Sequence, residues 1–280
     1  MGGPRRCCLA HSMWPKCSNN KVATPALSHA QTAVIVGANR GDIPNDPSFS
    51  YLANSPHIRK VFVEPIPHLF KLLQRNVAKL PNASAVNAAI TTAGGKTLEM
   101  FCLIDPHKGT VHSTVPFFAD QICSLHKDRL FNSGDVMLFS SAEKVHKSVR
   151  SISVPTLSLR QLLNEELGAA PLDYLQVDTE GEDYNIVLQA LELVPPPKSL
   201  MFEHMLLSST HRTELRWRLA LHYDFCCQAF DDVLCDHHQH HWKHLRRRKG
   251  SGNTRQSPSE QSEWMTRAIM RLSRAGVGDG

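Results

Sequence analysis

The chain has 280 residues and 31.3 kDa, room for one large domain with tails or two small ones. Apolar residues make up 41% and charged residues 20%, which excludes a wholly disordered chain, a collagen-like repeat and a coiled coil; no apolar run approaches the ~20 residues that span a bilayer. The net charge of +5 is unevenly spread: residues 1–41 carry five Lys/Arg and no acid, and residues 237–280 carry nine Lys/Arg and three acids, so the body between them is acidic and makes a poor nucleic-acid-binding core.

Residues 1–30 show no helical period and read as a disordered basic tail. Their acid-free, Arg-containing start also fits an organelle transit segment. Met1-Gly2 with Cys7 and Cys8 hints at lipidation, but Arg6 stands where the myristoylation pattern wants Ser or Thr. From residue 31 the pattern becomes regular. Ala33 to Val36 reads as a buried strand ending in Gly37. Asp46-Pro47 opens a helix to about Ala53, with Asp as N-cap. Lys60 to Val63 is a second strand, and Pro65 and Pro67 open a helix with Leu69, Leu72, Leu73, Val77 and Leu80 on one face. Ala83 to Ile90 reads as a third strand and Lys96 to Leu103 as a looser one. Residues 105–149 have no period, which suits a substrate loop or lid.

Regularity returns at Ile152 to Val154, followed by a helix over Leu157 to Leu167 and a strand over Leu172 to Val177. Tyr184 to Leu193 is helix, stopped by Pro195, Pro196 and Pro197. Ser199 to Phe202 is strand, Thr210 to His222 helix, and Phe225 to Leu234 a closing strand or hairpin. Strands alternating with helices predict an α/β domain over 31–236 with a mostly parallel sheet and helices on both faces. Residues 237–280 read as a low-complexity tail. Its His237, His238, His240, His241 and His244 precede Arg246 to Lys249, a pattern suited to a solvated tail, adventitious divalent metal or an anionic surface.

Ligands in such folds bind beyond the carboxyl ends of the strands. Three polar features sit there. Gly37-Ala-Asn-Arg-Gly41 follows the first strand; small residues let the backbone approach a ligand, or simply close a tight turn. Its spacing is not the G-x-G-x-x-G of a dinucleotide loop, which disfavours a nicotinamide oxidoreductase. Glu64, 23 residues past Gly41, is placed to accept both hydroxyls of an adenosine ribose, or to cap the helix that Pro65 opens. Asp178-Thr-Glu-Gly-Glu182 crowds three carboxylates at one strand end. They need a proton, a metal or a cationic centre to neutralise them, unless they serve the N-terminus of the next helix. On this reading Glu182 or Asp183 caps, while Asp178 and Glu180 face the cleft.

The eight cysteines show no C-x-x-C pair, and a chain this long builds a core without staples. The core cysteines are therefore expected to be reduced, and the compartment reducing and cytoplasmic. Asn82-Ala-Ser84 matches the glycosylation pattern, but it enters a predicted buried strand and no apolar stretch after the N-terminal arginines reads as a secretory signal, so it is discounted. There is no G-x-S-x-G elbow to suggest a hydrolase.

The segments 34–41, 61–76 and 175–183 together resemble the three signatures of FkbM-type methyltransferases, and Val154 to Leu159 resembles the family's segment before its next helix. The resemblance covers about residues 31–236. It implies a Rossmann-like class I methyltransferase fold, usually of seven strands with the last antiparallel, that uses S-adenosyl-L-methionine. It implies that Gly37, Ala38, Asn39 and Gly41 border the methionine part of the cofactor, that Glu64 holds the ribose, and that Asn87, Ala88 and Ala89 lie beside the adenine. Asp178, Glu180 and Glu182 match the family's D-x-E-G-x-E segment near the transfer site. Two positions depart from the family: Ile35 and Ser158 stand where Asp is usual.

The resulting expectation is methyl transfer to a hydroxyl of a sugar, glycan or small metabolite. Asp178 or Glu180 is the first candidate for general base and His204 the second, and no catalytic metal is expected. The rival is a non-catalytic protein of the same fold that binds a partner through its basic tails, a reading that Ile35 favours and the retained acids disfavour.

Overall fold

A computed structural model describes residues 14–17, 26–41, 48–103, 122–128, 130, 149–229 and 231–237. In chain order the elements are β1 (Thr32–Val36), α1 (Phe49–Ala53), β2 (Arg59–Val63), α2 (Pro67–Val77), β3 (Ala83–Val86), β4 (Ala89–Ile90), β5 (Thr97–Leu103), β6 (Cys123–Ser124) and β7 (Val149–Leu157). They continue as α3 (Leu159–Glu166), β8 (Tyr174–Val177), α4 (Asp183–Leu191), β9 (Ser199–Glu203), α5 (Ser209–His222), β10 (Phe225–Ala229) and β11 (Asp232–Asp236).

Seven strands form the main sheet in the order β10-β11-β9-β8-β1-β2-β3. The pairings from β9 to β3 are parallel, whereas β11 runs antiparallel to both β9 and β10. The sheet is thus mixed. Strands β1 and β8 are buried at every residue, as near-continuous apolar runs in a covered sheet should be. Alternation along β1 sends Val34 and Val36 into one apolar layer with α3, α4 and α5. Ala33 and Ile35 go into a second layer with Leu52 of α1 and Leu73 and Val77 of α2.

A second, four-stranded sheet, ordered β4-β7-β5-β6, was not expected. It has its own small core of Ile66, Leu69, Ala89, Met100, Cys102, Cys123 and Val154. It also explains why the expected strand Ala83 to Ile90 is two. β3 pairs with β2 in the main sheet, the chain turns at Asn87-Ala88, and β4 pairs with β7 in the other. Leu157 stays in β7, and α3 starts after it with Ser158 as N-cap in a capping box with Gln161. Ser158, a departure from the family, thus acts as a helix cap. Pro67 opens α2 as expected, but Leu72 is on its exposed side while Leu69, Leu73 and Val77 are buried. Asp46-Pro47, most of the 105–149 segment, and the histidine and arginine clusters after residue 237 lie outside the described residues.

Two expectations are corrected. The segment read as an N-terminal tail contributes to the body. Trp14 is 4% exposed and packs edge-on against Phe202, and Lys16 bridges Gln228 at the edge of β10. Backbone bonds flank that bridge, Cys17 N–H to Gln228 O and Gln228 N–H to Pro15 O, each 2.8 Å. Leu27 and Ala30 are buried in the second apolar layer. The core cysteines, in turn, are not free thiols. Cys17–Cys227, Cys102–Cys123 and Cys226–Cys235 are disulfides, with Cα atoms 5.0, 4.1 and 4.1 Å apart. The last two join residues directly opposite each other on paired strands. A search for C-x-x-C sees only local pairs and misses bridges that span 210, 21 and 9 residues. Among the described residues, no helix is long and apolar enough to cross a membrane.

Candidate functional site

A cavity of about 400 Å³ opens beyond the carboxyl ends of β1, β2, β8 and β9, where an α/β sheet places its ligands. Its wall has two halves of different construction.

The first half is backbone. Gly37 has φ +82°, and a Cβ there would land on the Asp178 carbonyl oxygen, so only glycine lets the β1 turn pass the β8 turn. The Gly37 and Ala38 N–H groups donate to Val63 O at 3.0 and 2.9 Å, fastening the turn to the end of β2. Gly37, Ala38 and Asn39 line the cavity; Gly41 does not. A Cβ on Gly41 would press on Leu73 and Phe49, so that glycine serves the packing of α1 and α2.

Glu64 is 3% exposed and lines the same half. One carboxylate oxygen accepts the Asn39 N–H and the other the Ile66 N–H, each at 2.8 Å. Burial still outweighs these two donors and pushes the carboxyl up to about 7. Ala88 and Ala89 line the cavity, and Asn87 does not. The Asn87 side chain donates to the carbonyls of Glu64 and Pro65 at 2.8 and 3.1 Å, bracing the bend between the two sheets. Ile35 is also off the wall, packed in the second apolar layer with Phe62 and Met201.

The second half is carboxylate. Asp178, Glu180, Glu182, Glu203, Asp231 and Asp232 line it; with Glu64 they make seven acids, and no lysine or arginine stands among the described lining residues. Asp178 opens onto the cavity yet lies deep in the body. Burial, then the neighbouring Glu203, Asp183, Glu180 and Asp232, holds its carboxyl well above the usual range. Glu203 is pushed up to about 8 by burial, then by Glu180, Asp183, Asp232 and Asp231. Its Oε2 is buried with no hydrogen-bond partner among the described residues. The seven acids form no cluster of three or more placed to ligate one metal ion.

The acid loop is held from outside. Asp183 accepts the Thr179 and Gly181 N–H groups at 3.1 Å each, while Glu180 and Gly181 take positive φ to complete the bend. Glu182 is the N-cap position of α4 but makes no capping bond; its carboxylate meets His126 Nε2 at 2.9 Å and Asn185 Nδ2 at 3.0 Å. Ser124 Oγ donates to Glu180 O at 3.0 Å. Both Ser124 and His126 belong to the segment that the Cys102–Cys123 disulfide ties to β5. Across the Gly181 bend lies a second cavity of about 670 Å³, lined by His126, Asp128, Tyr184, Asn185, Met205 and His211 among others. Tyr184 and His211 stack there, their ring centres 3.9 Å apart.

The structure brings Asp178 and Glu180 together, but not His204. That residue is 5% exposed, with its ring 5.6 Å from Trp14, and it is absent from the cavity wall. Its neighbour Glu203, the last residue of β9, takes the place at the strand end. Sequence reasoning noted Glu203-His204 together and chose His204, whereas Glu203 is the member on the cavity wall. It missed Asp231 and Asp232 altogether, because only the antiparallel register, with Asp232 opposite Glu203, carries the β10–β11 hairpin to the site.

The sequence matches the family model described as the methyltransferase FkbM domain over residues 36–210, more than half of the chain. No curated protein and no solved structure matches it.

Proposed function

The chain belongs to the FkbM methyltransferase family, and we propose that it transfers a methyl group from S-adenosyl-L-methionine to a hydroxyl oxygen of a sugar, glycan or small metabolite. The observation that carries this reading is the charge of the cavity: seven acids, several held above their ordinary range, await a cation rather than an anion. The cofactor, when bound, supplies a methyl group on a sulfonium cation. The donor set suits it: a glycine turn with no side chain in the way, a buried carboxylate for paired ribose hydroxyls, and small Ala88 and Ala89 for a flat ring.

In this reading Gly37, Ala38 and Asn39 approach the methionine part, Glu64 holds the ribose, and Ala88 and Ala89 flank the adenine. Gly41 and Asn87 shape the wall from behind it. Asp178 or Glu180 takes the proton of the acceptor hydroxyl, with Glu203 in place of His204 as the next candidate, since a carboxyl near 8 is poised for proton exchange close to neutral pH. Direct displacement asks the protein mainly for alignment, and the rigid bend of the acid loop supplies it. The second cavity, with its stacked Tyr184–His211 pair and polar His126, Asp128 and Asn185, suits the body of a hydroxyl-bearing acceptor.

The test is calorimetric titration of the full chain with S-adenosylmethionine and, separately, with NADH. Saturable binding of the first alone is expected. Glu64→Ala should weaken it by roughly 1–3 kcal/mol, leaving the ribose hydroxyls without their buried acceptor. Binding of NADH alone, or of neither, would sink the reading.

A further inference from the structure

Asn82-Ala83-Ser84 is the one match to the N-glycosylation pattern in the 280 residues, with Ala rather than Pro in the middle. Its position in the fold differs from the buried strand that the sequence suggests. Asn82 is exposed and has φ 52°, in the turn that leads into β3. β3 is the edge strand of the main sheet, and each of its residues is only partly buried. The Asn82 side chain reaches no further than the Pro56 carbonyl, 2.7 Å away on the surface.

The disulfides bear on the same site independently. Three bridges, one of them joining residues 210 apart, form and persist in an oxidising compartment. There a nascent chain meets lipid-linked oligosaccharide donors. We infer that Asn82 carries an N-linked oligosaccharide. In the transfer, the Asn82 Nδ2–C1 bond forms and the bond from C1 to the pyrophosphate oxygen breaks. The lipid pyrophosphate leaves, and the amide nitrogen gives up one of its two protons. The remaining N–H can still meet the Pro56 carbonyl.

The placement is compatible with activity. β3 runs from Asn82 toward the cavity, and Asn82 and Asn87 are separated by roughly 15 Å of extended chain. The glycan therefore leaves from the amino end of the sheet, opposite the ligand end. It also covers the edge of β3, which among the described residues has no strand partner beyond it. This inference stands apart from the methyltransferase reading.

Asn82 also has a structural reason to be asparagine, because that residue tolerates a positive φ, and Ser84 donates to Glu166 at 2.7 Å. The experiment must separate the two roles. The full chain, isolated from its own cells, is mapped by peptide mass spectrometry before and after an N-glycosidase. The same is done on the full chain secreted by cultured eukaryotic cells behind a cleavable leader, as wild type, Asn82→Gln, Ser84→Ala and Ser84→Thr. A glycopeptide containing position 82 is expected from both sources. It should vanish in Asn82→Gln and Ser84→Ala and persist in Ser84→Thr, which keeps the hydroxyl. Unmodified Asn82 in chain whose disulfides have formed in the secretory lumen overturns the proposal. So do free thiols at Cys17, Cys102 and Cys226 in chain from its own cells, because they place it outside that compartment.

Discussion

The two halves of the cavity wall are held in opposite ways. The Gly37–Asn39 turn and Glu64 are fixed by backbone hydrogen bonds between neighbouring strand ends, so that half is built as soon as β1 and β2 pair. The acid half owes its shape to distant parts: Asp183 beneath the loop, Ser124 and His126 against it, and the β10–β11 hairpin beside it. The first half is a socket with a single acid, Glu64, which is perturbed by its own burial rather than by like charges. The second concentrates like charges that only a proton or a cation relieves. Under the proposed function recognition and reactivity are thereby separated: a stiff cradle fixes the ligand, and a crowded acidic face supplies the chemistry.

Four changes break or sharpen this contrast. Gly37→Ala should be the most damaging, because the new Cβ strikes the Asp178 carbonyl at the seam between the halves and φ is positive there. We expect a loss of about 4 kcal/mol or more in denaturant melts, with cofactor binding abolished. Asp178→Asn keeps the shape and removes the carboxyl that can take up a proton. It should lower kcat by roughly 10²- to 10⁴-fold in a methyl-transfer assay while the protein melts no earlier than wild type. An equal fall in cofactor affinity with unchanged kcat would move the base to Glu180 or Glu203.

The third change is pH. Glu64 and Glu203 lie near 7 and 8 in the folded protein, above their ordinary range, so the folded state binds more protons than the unfolded chain. Stability of the free protein should therefore fall as pH rises from about 5 through about 8. A sulfonium favours the ionised forms. Its affinity should rise over the upper part of that window, and binding should release protons, measurable as a buffer-dependent heat. A flat affinity profile would mean that these acids do not meet the cation. The smallest effect should come from His126→Ala. Its pair with Glu182 is half exposed, so thermal melts should shift by no more than about 1 kcal/mol, with turnover affected more than cofactor binding.

What the sequence disclosed follows the same division. The glycine turn, Glu64 and Asp178–Glu182 were legible because each follows an apolar run, and a strand end is where such a fold puts its ligands. Gly41 and Asn87 were found as residues of the region, but neither stands on the cavity wall. Only coordinates show that one packs against Leu73 and the other braces Glu64. The same rule named Glu203-His204 without saying which side chain enters the cavity. The ring that answers the question, Trp14, came from a segment with no periodicity to read. Asp231, Asp232 and the three disulfides depend on strand register and on chain closure over long distances, neither of which leaves a local pattern. The second sheet was hidden for a related reason: β4 and β6 are two residues each, too short for alternation to show.

The strap of Trp14 to Cys17 has a consequence for how the chain is made. Its docking partners, Phe202, Gln228 and Cys227, are synthesised about 200 residues later. At ordinary translation speeds the strap waits on the order of tens of seconds with an exposed indole and a free thiol before its seat exists. The β10–β11 hairpin, the last of the described strands to emerge, therefore completes the sheet and gives the Trp14–Cys17 strap its place, so that a ribosome stalled before residue 227 leaves that edge of the sheet and the strap unpaired.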